Sequence, residues 1–180
     1  MTYVALTCQS LIAAVYGFAA LSKLSPARFA DFIRSTGALL PARWSRRRTQ
    51  VGVLVLTCEL AVVALSVALT AAGLILGLAL SAAFAVALTR AVIRGERTTC
   101  RCFGASSTPI GPAHIVRNVL LAGVSVTGLI ALQWSTSVNV AGAAVSIAAG
   151  IIFAFIIAML DELLALFKDP VVVRALPVKR

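Results

Sequence analysis

Five apolar stretches of about 20 residues, each close to the length a helix needs to cross a hydrocarbon core, constrain this chain more than any other feature. They cover Val4–Ser22, Val51–Leu69, Ala71–Ile93, Ala113–Trp134 and Val138–Leu160. Apolar residues run continuously through them instead of alternating with polar ones, as barrel strands require, so the pattern predicts helices. A tight turn around Thr70–Gly73 is expected to fold the second and third stretches into a hairpin. The short polar segment Ser135–Ser137 joins the fourth to the fifth. Val4–Ser22 has no basic n-region and no A-x-A-like site before a mature domain, so it reads as a retained span and not as a signal peptide. The expected fold class is all-α, a polytopic transmembrane helix bundle.

Composition agrees. Hydrophobic residues make up 61 % of the 180 positions and charged residues 12 %, roughly half the charged share of a soluble domain. Mean hydropathy is +1.02. These figures exclude a soluble enzyme, a disordered tail protein and a small disulfide-rich secreted domain.

The net charge of +10 is a matter of topology. Lys23, Arg28, Arg34, Arg43, Arg46, Arg47 and Arg48 lie between the first two spans. Arg90, Arg94, Arg97, Arg101 and Arg117 flank the link between the third and fourth, and Lys168, Arg174, Lys179 and Arg180 lie in the tail. The links Thr70–Gly73 and Ser135–Ser137 carry no basic residue. By the positive-inside rule the arginine-rich loops and the C-terminus are expected to be cytoplasmic and the N-terminus outside, in the cell membrane and against anionic lipid head groups. Basic and aromatic residues do not interleave as an RNA-binding surface needs, so no nucleic acid partner is expected.

Between the first two spans, Ser25 can cap a helix, Pro26 suits its first position and Gly37 can end it. Phe29, Phe32 and Ile33 share one face of that helix, while Arg28, Asp31 and Arg34 share another. Such a pattern predicts a short amphipathic helix along the membrane surface. Pro41 and the run Arg46-Arg47-Arg48 then lead into the second span.

The residues with chemistry in reach are few. Cys8 and Cys58 sit inside apolar stretches, where a cysteine packs as a small hydrophobe. Cys100 and Cys102 lie instead in a polar loop beside Arg97 and Arg101, whose charge favours the reactive thiolate. Two thiols one residue apart can close a strained disulfide or hold a soft metal ion together. Glu59 is the only carboxylate within a span away from its ends, about 12 Å in from Val51 at 1.5 Å per residue. A carboxylate there either pairs inside the bundle, with Lys23 or Arg117 as candidates, or is protonated and hydrogen-bonded. Asp161 and Glu162 are expected to be solvated at a helix end. His114, beside Gly111-Pro112, reads as an interfacial residue and not as a ligand. Arg117-Asn118, near the start of an apolar helix, are placed to brace the cysteine loop. Nothing matches a Walker loop, a zincin helix or a hydrolase triad.

These positions carry a resemblance. Gly17, Ser22-Lys23-Leu24, Phe29, Gly37 through Pro41, Glu59, Cys100-Arg101-Cys102-Phe103-Gly104 and Arg117-Asn118, taken in order over residues 11–133, resemble the MauE family of membrane proteins, grouped with DoxX-like redox-associated proteins. Family members often carry Gly between the two cysteines, where this chain has Arg101. The resemblance implies a four-helix membrane core (residues 1–134 here), similar to that of quinone-linked thiol oxidoreductases. The fifth span and the basic tail, residues 135–180, lie outside it. It also implies a role in methylamine metabolism, in forming or processing disulfides of a methylamine dehydrogenase subunit. That maturation is extracytoplasmic, whereas the charge count places the cysteine loop in the cytoplasm, and the charge count decides the expected topology.

The leading functional expectation is therefore a thiol–disulfide redox protein, a thiol–disulfide oxidoreductase if it is an enzyme. Cys100 and Cys102 would be the reacting pair, supported by Arg101, Phe103, Gly104, Glu59, Lys23, Arg117 and Asn118. A thioredoxin-like protein or a dehydrogenase subunit would be the partner. A quinone is an electron partner compatible with this chemistry, although no sequence feature identifies its site. The alternatives are a Cu(I) or Hg(II) carrier or sensor using the same two cysteines as metal ligands, and a non-catalytic membrane assembly subunit.

Overall fold

A computed structural model describes residues 1–39, 46–95, 112–134, 137 and 139–168. Among these residues every regular element is a helix. In order they are α1 (Thr2–Ser22), α2 (Pro26–Leu39), α3 (Arg48–Ala68), α4 (Thr70–Ile93), α5 (Pro112–Leu132) and α6 (Val140–Lys168). All but α2 are long and apolar enough to cross a membrane. Pro41, the loop of residues 96–111 with Cys100 and Cys102, Ser135, Thr136 and the tail from residue 169 lie outside the described residues.

Helix ends follow local chemistry. Pro26 and Pro112 each open a helix, where their missing N–H costs nothing. Asn139 caps α6, its Oδ1 accepting from the N–H groups of Ala141 at 2.7 Å and Gly142 at 3.4 Å. Beyond α4, Gly95 adopts φ +70°, the left-handed conformation that suits glycine after a helix. Gly37 does not end α2 as expected. It keeps a helical backbone, which costs only about 1 kcal/mol relative to Ala, and α2 runs on to Leu39.

The α3–α4 hairpin is tighter than the sequence predicts. Only Leu69 leaves helical geometry (φ −143°, ψ 81°), and α4 resumes at Thr70. So abrupt a reversal presses the two helices together one turn on. A Cβ on Gly73 would lie 2.5 Å from the Ser66 nitrogen and 2.6 Å from its Cα.

α1 is the axis of the bundle, with α3, α4, α5 and α6 all packed against it. Its Leu11, Ile12, Val15 and Tyr16 form one core with Val62 of α3, Leu74 of α4, Leu121 of α5 and Ala154 of α6. α6 lies mainly against α1 through small residues spaced four apart: Gly142, Ser146, Gly150 and Ala154. A Cβ on Gly142 would meet the Tyr3 ring at 2.5 Å, and one on Gly150 would collide with Ser10 Oγ. Such a seam lets two helix backbones approach closely where no hydrophobic effect drives them together. α6 also continues past its membrane-length segment, so Asp161 and Glu162 fall within the helix and not at its end.

α2 is amphipathic as expected, but its apolar face is turned onto the bundle. Phe32 is buried against Leu88 of α4, with Phe29, Val55, Phe84 and Ile115 around the pair. Ile33 touches α3 at Gly52. The exposed face carries the Arg34–Asp31 ion pair. α2 thus covers the end of the bundle where α1 stops and α3 begins.

Candidate functional site

The site starts where α1 ends. Lys23 is the first residue past the helix, its N–H bonded back to the carbonyl of Ala20 at 3.0 Å. Its side chain turns inward, to the level of Glu59 on α3. Lys23 Nζ donates to Glu59 Oε1 at 2.7 Å, to Oε2 at 2.9 Å and to the Ala19 carbonyl at 3.2 Å. An ammonium has three hydrogens, and these three acceptors use them all. The Phe32 ring of α2 lies 4.8 Å from Nζ and closes the remaining side with its π face.

Lys23 is 2 % exposed and Glu59 1 %. Glu59 lies eleven residues beyond Arg48, about 16 Å along α3. Of the two basic candidates, the carboxylate pairs with Lys23. A lone charge at that depth is costly, and pairing with full hydrogen bonding is what allows two charges to stay.

α5 brings further polar side chains into the interior. His114, Arg117, Asn118, Leu121, Ser125 and Gly128 recur at helical spacing, and this whole face is buried. His114 is therefore an interior residue and not the interfacial one the sequence predicts. Its place on the same face as Arg117 and Asn118, one turn earlier, carries it inside. Asn118 Nδ2 donates to the His114 carbonyl at 2.8 Å, so its amide braces the first turn of its own helix.

Tyr16 of α1 and Ser81 of α4 add a buried hydrogen-bonded pair, and sequence reasoning missed both. The Tyr16 hydroxyl is 2.6 Å from Ser81 Oγ and donates to the Gly77 carbonyl at 3.1 Å. Tyr16 stands seven residues before Lys23, two turns up the same face. Gly77 and Ser81 are four apart. A tyrosine and a serine are common within apolar spans, so neither stands out in the sequence taken alone.

Cys100, Arg101, Cys102, Phe103 and Gly104 lie outside the described residues. Both attachment points of their loop, Gly95 after α4 and Pro112 at the start of α5, stand at the end of the bundle covered by α2. Leu88 of α4 and Ile115 of α5 meet Phe32 there. Cys8 and Cys58 are free thiols. Cys8 is buried toward the other end, where a Cβ on Gly128 would lie 2.9 Å from its own Cβ. Cys58 is half-buried on α3, next to Glu59.

Five apolar helices around a charged pair closed off from solvent define a multi-pass helical membrane protein with an intramembrane polar site. The family model described as "Methylamine utilisation protein MauE" matches residues 1–131, from the start of α1 to the last turn of α5. The chain belongs to the MauE family. α6, with its seam on α1, lies beyond the matched region. Comparison with curated proteins and with solved structures gives no match.

Proposed function

We propose that this protein is a membrane thiol–disulfide redox protein associated with methylamine utilisation, with Cys100 and Cys102 as its reacting pair. One observation supports the reading: the loop bearing both thiols is attached at the end of the bundle that α2 covers, and Lys23, Glu59, Arg117 and His114 are each buried in the helices that meet there. A cation near a thiol favours the thiolate, the nucleophile in disulfide exchange. One thiolate attacks a partner disulfide and releases one partner sulfur as a thiolate. The second cysteine then attacks the mixed disulfide. The pair leaves oxidised, and the partner leaves with two electrons and both its thiols. The partner class is a thioredoxin-like protein or a dehydrogenase subunit.

Trapping tests this reading. With the resolving cysteine changed to Ser, a covalent partner complex that reductant releases is expected to accumulate in cells. Cys100→Ser and Cys102→Ser are both needed, since either residue can be the resolving one, and the double variant should trap nothing. No complex from either single variant, together with thiols that stay reduced in active cells, refutes the proposal.

With this reading goes a topology that the distribution of basic residues supports: the protein in the cell membrane, this loop in the cytoplasm and the N-terminus outside. In a cysteine-free background, Ser25→Cys and Thr98→Cys should resist a membrane-impermeant label in intact cells, while Ser135→Cys should react. Labelling of Thr98→Cys from outside would reverse the orientation and move the partner to the extracytoplasmic side.

A further inference from the structure

The other end of the molecule holds a second feature. Between α3 and α6, on the surface of α1, lies a groove of about 360 Å³, within the usual size range of small-molecule pockets. Ala13 and Ala14 line it on α1, with Val67 of α3 and Ile151 of α6 among its other contacts. It opens outward, because Val67 and Ile151 are exposed, and both belong to membrane-length helices. Its polar lining is Gln9, Ser10 and Ser66. The Ser10 hydroxyl donates to the Thr7 carbonyl, the Ser66 hydroxyl makes no hydrogen bond among the described residues, and Gln9 has the greatest hydrogen-bonding capacity of the three.

Gln9 donates one amide hydrogen to the carbonyl of Ser66. An amide has a second N–H and an acceptor oxygen, and among the described residues neither makes a hydrogen bond. At seven residues into α1, about 10 Å from its start, such groups are costly to leave without a partner in lipid. A hydrocarbon tail offers them nothing.

We propose that this groove binds the head of an isoprenoid quinone, with Gln9 hydrogen-bonded to a ring oxygen and the apolar tail running out into lipid. Three features select that class. The ligand must be neutral, because no charged side chain occurs in residues 1–22, 60–89 or 118–160 to receive a phosphate. It must carry an oxygen that can pair with an amide in either sense. An amide donates to a quinone carbonyl and accepts from a quinol hydroxyl equally well. It must be apolar otherwise and thin enough to lie on two alanines between the branched side chains of Val67 and Ile151. The site is fourteen residues from Lys23, about 21 Å along α1, so the inference stands independently of the thiol reading.

Binding of decylubiquinone to the full-length protein in phosphatidylcholine nanodiscs, followed by isothermal titration calorimetry, tests it. Loss of one hydrogen bond in Gln9→Leu should weaken binding about tenfold. Ala13→Phe, which fills the floor, should remove binding while Gln9 stays in place. A photoreactive azidoquinone should label α1, α3 and α6 around the groove, and excess decylubiquinone should suppress that labelling. Equal affinity of wild type and both variants overturns the proposal. So does labelling spread evenly over every lipid-facing helix. A phospholipid that stays in the groove through purification and is not displaced by decylubiquinone overturns it as well. If Gln9→Leu does not fold, Ala13→Phe and the labelling map decide alone.

Discussion

Replacing Glu59 by Leu is expected to destabilise the bundle by about 3–5 kcal/mol, the usual loss when one partner of a buried ion pair is removed. The reason is what remains. Lys23 would keep its charge after losing both carboxylate acceptors. Glu59→Gln should cost less, because the amide fills the same space and its oxygen still accepts from the ammonium. Changing both residues, Lys23→Met with Glu59→Leu, should recover much of the loss, since a buried pair replaced as a unit by apolar side chains is often neutral. Melting of the purified variants in detergent reads all three. A Glu59→Leu variant as stable as wild type would show that the pair contributes no stability.

Gly73→Leu is the second large effect expected. Any Cβ at that position meets the backbone of Ser66 at 2.5–2.6 Å, and backbone cannot rotate aside as a side chain can. Only Leu69 separates α3 from α4, so the helices have little freedom to part without breaking the hairpin. Overpacking of this kind costs about 1–3 kcal/mol, and a rigid neighbour puts this case at the upper end. Gly123→Leu is the internal comparison: it has open space around its Cβ position and should change stability by no more than about 0.5 kcal/mol. Equal melting shifts for the two variants would show that the hairpin yields more easily than its geometry implies.

The five spans were legible because hydrophobic length is a strong signal. The helices differ from the sequence reading by a few residues at most boundaries. The exceptions have physical causes. α6 runs on past Leu160 because helix propensity continues through Asp161-Glu162-Leu163-Leu164, where membrane hydropathy stops. That the apolar face of α2 packs on α3 and α4 was not legible, because periodicity identifies an apolar face without saying what covers it. His114 was misplaced by weighing it alone, when Arg117 and Asn118 share its helical face. Glu59 could be singled out from rarity, and Lys23 as a partner from its position at the end of a span. Tyr16 and Ser81 could not, because a tyrosine and a serine in a span are common and become informative only once α1 and α4 are seen side by side. The cysteine pair stood out through its loop setting and its match to a family pattern, and those two grounds still carry it.

The layering of the interior also bears on the membrane as an electrical insulator. Lys23, Glu59 and Arg117 occupy one half of the bundle, while Leu11, Ile12 and Leu74 pack the other with no charge among them. Among the described residues the second half is closely packed and holds no charged side chain, its buried polar groups being hydroxyls such as those of Ser66 and Ser125. Moving a bare ion into such packing is costly. Charge held in the first half therefore has no charged partner to hop to across the second, so the protein can carry a buried ion pair without offering a charged path through the bilayer.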